Sequence, residues 1–296
     1  MEKSLVEQVR SFNRTMTECV GVLNDHFLGR DHPLGEARLL WEIGKEGKGE
    51  ASVRELRRRL GLDSAYVSRL LRSLEQQGLI EVKASEHDGR VRLVQLTEEG
   101  VREREELDQR SDAFALSLLE PLSESQRAKL VEAMAQVERL LIASMVQITV
   151  ADPSSRDARW CIEQYFAELG ERFETGFDPA LTRSAHMYEL TPPSGLLLVA
   201  RLREEPVGCG ALKFRENGIG ELKRMWVAPQ ARGLGLGRRL LMELEHKARE
   251  AGCTVLQLET NRTLVEAIKM YRHSGYQEVA AFNDEPYAHH WFEKRL

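Results

Sequence analysis

Residues 227–241 read VAPQARGLGLGRRLL, with glycines at alternate positions, Gly233, Gly235 and Gly237. The stretch follows a strand-like run, ELKRMWV, and opens a run of helical periodicity that lasts to Gly252. Amides in the first turn of a helix have no intrahelical acceptor and carry positive partial charge, so they bind phosphate, and glycine lets a bulky pyrophosphate approach them closely. A dinucleotide fold would show GxGxxG after the first strand of a βαβ unit. Here the spacing is GxGxG, and the strands before it, GLLLVARL and VGCGALKFRE, read as hairpins. A P-loop would follow its glycines with Lys-Ser or Lys-Thr, and here Arg238 and Arg239 follow.

Around this stretch strands and helices alternate. VQITVADPSS reads as a strand and loop, 157–169 as a helix, and residues to 194 as a loop. After the glycine helix come the strand TVLQLE, a helix at about 263–273, and strands to the C-terminus. The first half is mostly helical. Leu5, Val9, Phe12, Met16, Leu23 and Phe27 keep the helical spacing over 4–27, and LGEARLLWEIGKEG is a second helix. Ser52 and Glu55 form a capping box, and that helix ends at Gly61. The next starts near Asp63 or Ser64 and runs to Gly78, a left-handed cap position. Two helices joined by so short a turn cross steeply, as in a helix-turn-helix. LIEVKASEHDGRVRLVQLT then alternates around HDG, the pattern of a hairpin. Thr97 starts a long charged helix broken at Pro121, and a capping box at Ser123 and Gln126 opens a last helix to about Ser144.

The 296 residues suggest two domains, divided near 145. Net charge is −5, yet Ala51–Arg92 carries nine basic and six acidic residues, and a local basic patch matters more for DNA than the overall sum. The cysteines at 19, 161, 209 and 253 form no CxxC pair, and no HExxH occurs, so neither a metal site nor a disulfide framework is expected. With no membrane-length apolar run and no signal-peptide core, a cytoplasmic location is expected.

Gln230-Ala-Arg-Gly233-Leu-Gly235 resembles the coenzyme A-binding motif of the GNAT N-acetyltransferases, Gln/Arg-x-x-Gly-x-Gly/Ala. The likeness extends to ELKRMWV, the Pro229 turn, the helix ending at EAGC and EAIKMYRHSGY, and covers roughly 146–296. It implies a mixed-sheet α/β acetyltransferase domain that uses acetyl-CoA, no metal, and direct acetyl transfer to a small primary amine. Amides from Arg232 through Leu234, Gly235, Gly237 and Arg238 would hold the pyrophosphate. The edge of Met225, Trp226 and Val227 would pair with the pantetheine arm. Tyr271 matches the tyrosine near the CoA sulfur. Glu221 matches a position where several members carry a glutamate base. An amine attacks only when neutral, so a base or a water relay must take its proton. By strand alternation Glu221, Lys223, Met225 and Val227 are expected on one face. One position departs from the family: the asparagine often found seven residues before the tyrosine is Leu264 here, and Asn261 stands three residues earlier. The amine is expected between the loop 170–193 and FNDEPYAHHWFEK, with acids Glu174, Asp178, Glu189, Asp284 and Glu285 and aromatics Phe173, Phe177 and Tyr287.

The order of the first-half elements, with SAYVSRLLRSLEQQGLI and DGRVRLVQLTEEG, resembles the MarR family of winged-helix regulators over about 1–145. That resemblance implies double-stranded DNA as a partner, with Ser64, Tyr66, Ser68 and Arg69 facing bases or phosphates, Arg72 facing phosphate, and Arg90 at the wing tip reaching the minor groove. Arg54, Arg57 and Arg58 could add phosphate contacts. It also implies a homodimer built on the first and last helices. The combined reading is a two-domain α+β protein, regulator and acetyltransferase in one chain. Its rival is a regulator that senses acetyl-CoA without turning it over.

Overall fold

The computed structural model describes residues 2–20, 27–45, 50–85, 91–182 and 185–296. It divides into two compact units, residues 1–131 and 132–296.

The first unit runs α1 (Glu2–Val20), α2 (Leu34–Gly44), β1 (Glu50–Ser52), α3 (Val53–Leu60), α4 (Ser64–Gln76), β2 (Ile80–Ala84), β3 (Arg92–Leu96), α5 (Glu98–Leu119) and the start of α6 (Glu124–Ser144). The strands form an antiparallel sheet in the order β1-β3-β2. The short turns are set by local chemistry. Ser52 Oγ accepts from the Glu55 amide at 3.1 Å. Gly61 closes α3 at φ 64°, a conformation costly for any residue with a Cβ. Asp63 then caps α4 by accepting from the Tyr66 amide at 2.9 Å. Thr97 Oγ1 donates to Gly78 O at 2.7 Å and accepts from the Gly100 amide at 3.0 Å, so one hydroxyl joins the end of α4 to the start of α5. Leu39, Leu40, Ile43, Leu56, Leu71, Leu74 and Val94 form the core beneath α4.

The helix expected over 4–27 is described as far as Val20, because 21–26 lie outside the described residues. Its apolar stripe is uncovered, with Leu5, Val9 and Phe12 exposed. So are Leu116 of α5 and Val131, Met134, Leu140 and Leu141 of α6.

The second unit holds β4 (Gln147–Ala151), α7 (Arg156–Arg172), β5 (Gly195–Leu202), β6 (Glu205–Phe214), β7 (Ile219–Val227), α8 (Leu236–Glu250), β8 (Val255–Thr260), α9 (Val265–His273), β9 (Gln277–Val279) and β10 (His290–Arg295). The sheet order is β4-β5-β6-β7-β8-β10-β9. Among the described residues only β7 and β8 pair in parallel, and only over Ile219–Glu221 against Val255–Gln257. Past that point β8 pairs with β10 alone, and β7 with β6 alone. The sheet therefore forks in its middle. Gly208 and Gly210 of β6 face Leu240 and Leu244 of α8, while Cys209 lies by Cys161 of α7, so the two helices cover opposite faces.

The expected alternation along β7 fails within the strand. Cys209 pairs with Trp226 and Ala211 with Lys223, so two residues of β7, Arg224 and Met225, oppose Gly210. Arg224 takes φ 53°, and this bulge inverts the faces beyond it. Glu221, Lys223 and Trp226 share the α7 face, and Leu222, Met225 and Val227 share the other. Glu221 is thus not on one face with Met225 and Val227, as simple alternation requires.

Candidate functional site

The fork and the start of α8 enclose two adjoining cavities. The larger, about 480 Å³, is lined by Met225, Trp226 and Val227 of β7, by Arg232, Gly233, Gly235, Gly237 and Arg238, and by Tyr271 and Met270 of α9. Gly233 and Gly235 have φ of 77° and 71°, and a Cβ on either would meet nothing within 4 Å. Here glycine is needed for the left-handed backbone, and the space it leaves opens outward. Gly237 differs: its place in α8 brings it against Met270, where a Cβ would come within 3.3 Å of the sulfur. The first helical bond runs from the Arg239 amide to Gly235 O at 3.1 Å, so the amides of Leu236, Gly237 and Arg238 precede it. The Leu234 side chain packs against the core, which leaves its backbone for a ligand. The β7 edge beyond Glu221 has no strand beside it on the fork side. Together these features fit the pyrophosphate and the amide-bearing arm of a coenzyme A thioester.

Side chains missed by sequence reasoning cross this cavity. Glu168 of α7 accepts from the Trp226 indole at 2.8 Å, from Arg232 at 2.5 Å and from Arg172 at 3.2 Å. Arg172 also bonds Glu266 at 2.8 Å, which lowers the Glu266 carboxyl below its usual range. The Arg232 guanidinium is therefore engaged with protein.

The smaller cavity, about 90 Å³, shares Tyr165, Leu169, Met225, Leu264, Ala267 and Tyr271 with the larger. Its own wall includes Lys223, Glu259, Asn261, Glu285 and the rings of Phe166, Phe173, Phe177 and Tyr287. Tyr271 thus stands where the two spaces meet. Its phenol is 5 % exposed, and burial, helped by the Glu259 carboxylate, pushes its pKa upward, so it stays protonated through the neutral range. Tyr165 is raised in the same way.

Glu221 lines neither cavity. It is buried below the fork, in the last paired register with Gln257, and its carboxylate meets Arg215 at 3.3 Å. Of the five acids expected around the amine, Glu285 alone reaches the cavity wall, with Thr182 donating to it at 2.9 Å. Glu174 pairs with Arg262, Glu189 with Lys213, and Asp178 caps its own turn, while Asp284 is exposed. The aromatics Phe173, Phe177 and Tyr287 all reach the wall, and the Tyr287 hydroxyl accepts from the Asp178 amide at 3.0 Å. Asn261 is buried and donates to Tyr287 O at 2.8 Å, joining the end of β8 to the C-terminal segment.

Residues 160–276 match the model of the Acetyltransferase (GNAT) family. An IAA acetyltransferase of Azospirillum brasilense is 39 % identical over 143 residues, 47 % of this chain and 90 % of that protein. The chain belongs to the GNAT acetyltransferase family. An aminoalkylphosphonate N-acetyltransferase of Salmonella typhimurium is 28 % identical over 121 residues, 39 % of this chain and 79 % of the relative. The GNAT domain is that of an acetyl-CoA-dependent acyltransferase, and the larger cavity has the form such a donor requires.

The GNAT domain is fused to a regulator-type unit. Residues 31–91 match the MarR family model. An uncharacterized HTH-type transcriptional regulator of Bacillus subtilis, YdgJ, is 30 % identical over 88 residues, 30 % of this chain and 54 % of that protein. In this unit a concavity of about 530 Å³ is lined by Ser52, Arg54, Arg57, Ser64, Ser68, Val91 and Arg92. Ser64 and Ser68 lie one helical turn apart on α4, and exposed Arg72 continues their stripe by a further turn. Tyr66 instead packs toward α2, its hydroxyl close to Gly35, and the exposed Arg69 guanidinium lies 5.6 Å from its ring. Arg58 is engaged with Glu55. Arg90 lies outside the described residues. Ser52 and Arg92 are additions that sequence reasoning did not assign; Arg92 stands out only once β3 has turned it toward α4.

Proposed function

We propose that this chain is a DNA-binding transcription regulator that also transfers an acetyl group from acetyl-CoA directly to a small primary amine. The observation that carries the enzymatic half is the junction of the two cavities at Tyr271. One side offers left-handed glycines, helix-start amides and a free strand edge. The other offers a small, largely aromatic chamber with a carboxylate in its wall. Backbone amides from Arg232 to Arg238 bind the pyrophosphate, and Met225, Trp226 and Val227 align the donor's arm. Tyr271, neutral through burial, donates the proton that the departing thiolate needs.

The winged helix binds double-stranded DNA through Ser64, Ser68, Arg69 and Arg72, with Arg54, Arg57 and Arg92 on phosphates and Arg90 at the wing. Tyr66 supports the recognition helix through its packing and its contact with Arg69. The apolar stripes of α1, α5 and α6 are covered by a second copy, and the domain boundary lies near residue 145. The test is calorimetric titration of the full chain with acetyl-CoA, followed by thiol release with a panel of primary amines. Saturable binding with turnover of one amine class is expected. Binding without turnover of any amine would leave a regulator that senses acetyl-CoA, and no binding would remove the enzymatic reading.

A further inference from the structure

We propose that Glu259 is the group that takes the proton of the attacking amine, and that Lys223 and Asn283 position it. The inference rests on the acetyltransferase reading above. Glu259 sits on β8 just past the fork, two residues after Gln257, the last β8 residue that pairs with β7. Its side chain is 8 % exposed and that of its ion-pair partner Lys223 is 9 % exposed, yet both line the small cavity. The other carboxylate oxygen lies 3.5 Å from Asn283 Nδ2, and Asn283 Oδ1 accepts from the Trp291 indole at 2.8 Å. Trp291 is the β10 residue in register with Glu259. The carboxylate is thus held from both sides of its strand.

A buried ion pair is a poor stabiliser, since an apolar pair of the same volume is often as good or better. Its presence on a cavity wall therefore points to a role in the cavity. Glu285, the other acid there, already accepts from Thr182. Glu221 is outside the cavity altogether. Among the described residues, the charged and titratable groups that share the cavity wall with Glu259 are Lys223 and Arg224 of β7, Tyr165 of α7, Tyr271 of α9, and Glu285 and Tyr287 of the segment before β10.

The acceptor enters as an ammonium ion and gives one proton to Glu259, which releases it to water. The neutral nitrogen forms a bond to the thioester carbonyl carbon. The carbon–sulfur bond then breaks with its electron pair on sulfur, and the thiolate takes the phenolic proton of Tyr271. The second nitrogen proton restores the phenol. The products are the amide, the free thiol and one proton in water.

The test compares the full-length wild type with Glu259→Gln, Glu259→Asp, Lys223→Met and Glu221→Gln. Acetyl-CoA affinity is read by calorimetry, and kcat, KM and the pH–rate profile by thiol release with the best amine of the panel. Glu259→Gln is expected to lower kcat about 100-fold or more, to lose the acidic limb of the profile, and to bind acetyl-CoA as the wild type does. Lys223→Met is expected to lower kcat and to bind acetyl-CoA as the wild type does, because the carboxylate has lost the ion-pair partner that positions it. Glu221→Gln is expected to retain the acidic limb. Should Glu259→Gln not fold, Glu259→Asp decides: it keeps a carboxylate set back by one methylene, and an unchanged kcat overturns the proposal. So does a Glu259→Gln enzyme that keeps the wild-type rate or the acidic limb. A wild type that neither binds acetyl-CoA nor releases thiol overturns the acetyltransferase reading itself, and this inference with it.

Discussion

The two units expose their functional charges in opposite ways. In the winged helix Arg54, Arg57 and Arg92 border the concavity exposed to solvent, on the rim of α3, β3 and α4. At the fork Lys223 and Glu259 are more than nine-tenths buried and pair with each other. Exposed charges act over about a Debye length and are screened by salt, while a buried pair is screened much less. The first arrangement suits a polyanion that must be found at a distance. The second suits a step in which one proton moves over one bond length.

The comparison breaks most clearly under salt. Raising salt from 50 to 200 mM is expected to weaken DNA binding by about 1,000-fold, if the dimer makes about six phosphate contacts, and to change kcat for acetyl transfer by less than about twofold. Fluorescence anisotropy and thiol release on the same preparation check both. Arg57→Ala should reduce the slope of log affinity against log salt by about one per site.

Tyr271→Phe sharpens the comparison from the buried side. It is expected to lower kcat about 100-fold and to leave acetyl-CoA affinity within about threefold, because only the proton on the phenol is lost. Equal losses in both quantities would make Tyr271 a packing residue.

Glu103 supplies a control, a buried charge that lines none of the three cavities described. It is 7 % exposed, bonds Arg30 through both oxygens and lies 3.2 Å from His32 Nε2. Those partners, Arg30 foremost, hold its carboxyl below the usual range. A carboxyl with a lowered folded-state value stabilises the fold above its ordinary unfolded value of about 4.3, and that contribution fades as pH falls through the folded value. Glu103→Gln is expected to cost about 2 kcal/mol at pH 7, between the values for exposed and fully buried pairs. Thermal melts should show this deficit shrinking below about pH 4, with acetyl-CoA affinity unchanged.

The smallest effects are expected at Gly235 and Gly237. The φ of 71° at Gly235 costs an alanine about 1–2 kcal/mol, although nothing nearby would touch the added methyl. Gly235→Ala should weaken acetyl-CoA about tenfold by calorimetry. Gly237→Ala tests the other role, close packing on Met270, and should weaken it less.

Much of the first unit was legible because its signals are local. Ser52, Gly61, Asp63 and Gly78 each act on backbone within four residues, so the helix-turn-helix could be read from spacing alone. The stripe of Ser64, Ser68 and Arg72 follows from helical periodicity. Strand β1 was not legible: three residues carry no pattern, and only the presence of β3 makes them a strand. The direction of the Tyr66 ring was not legible, because periodicity does not say that a long ring will bend back toward Gly35.

In the second unit the sequence by itself determined the glycine loop, since φ values near +70° strongly favour glycine. It also determined the order of strands and helices and the place of Tyr271 on an amphipathic helix. Only the tertiary structure decided which carboxylate lines the small cavity. The bulge at Arg224 inverts the faces of β7, and the end of β7–β8 pairing leaves Glu221 below the fork and Glu259 above it. Both facts arise from how neighbouring strands register, and a strand's own residues do not encode where its partner departs.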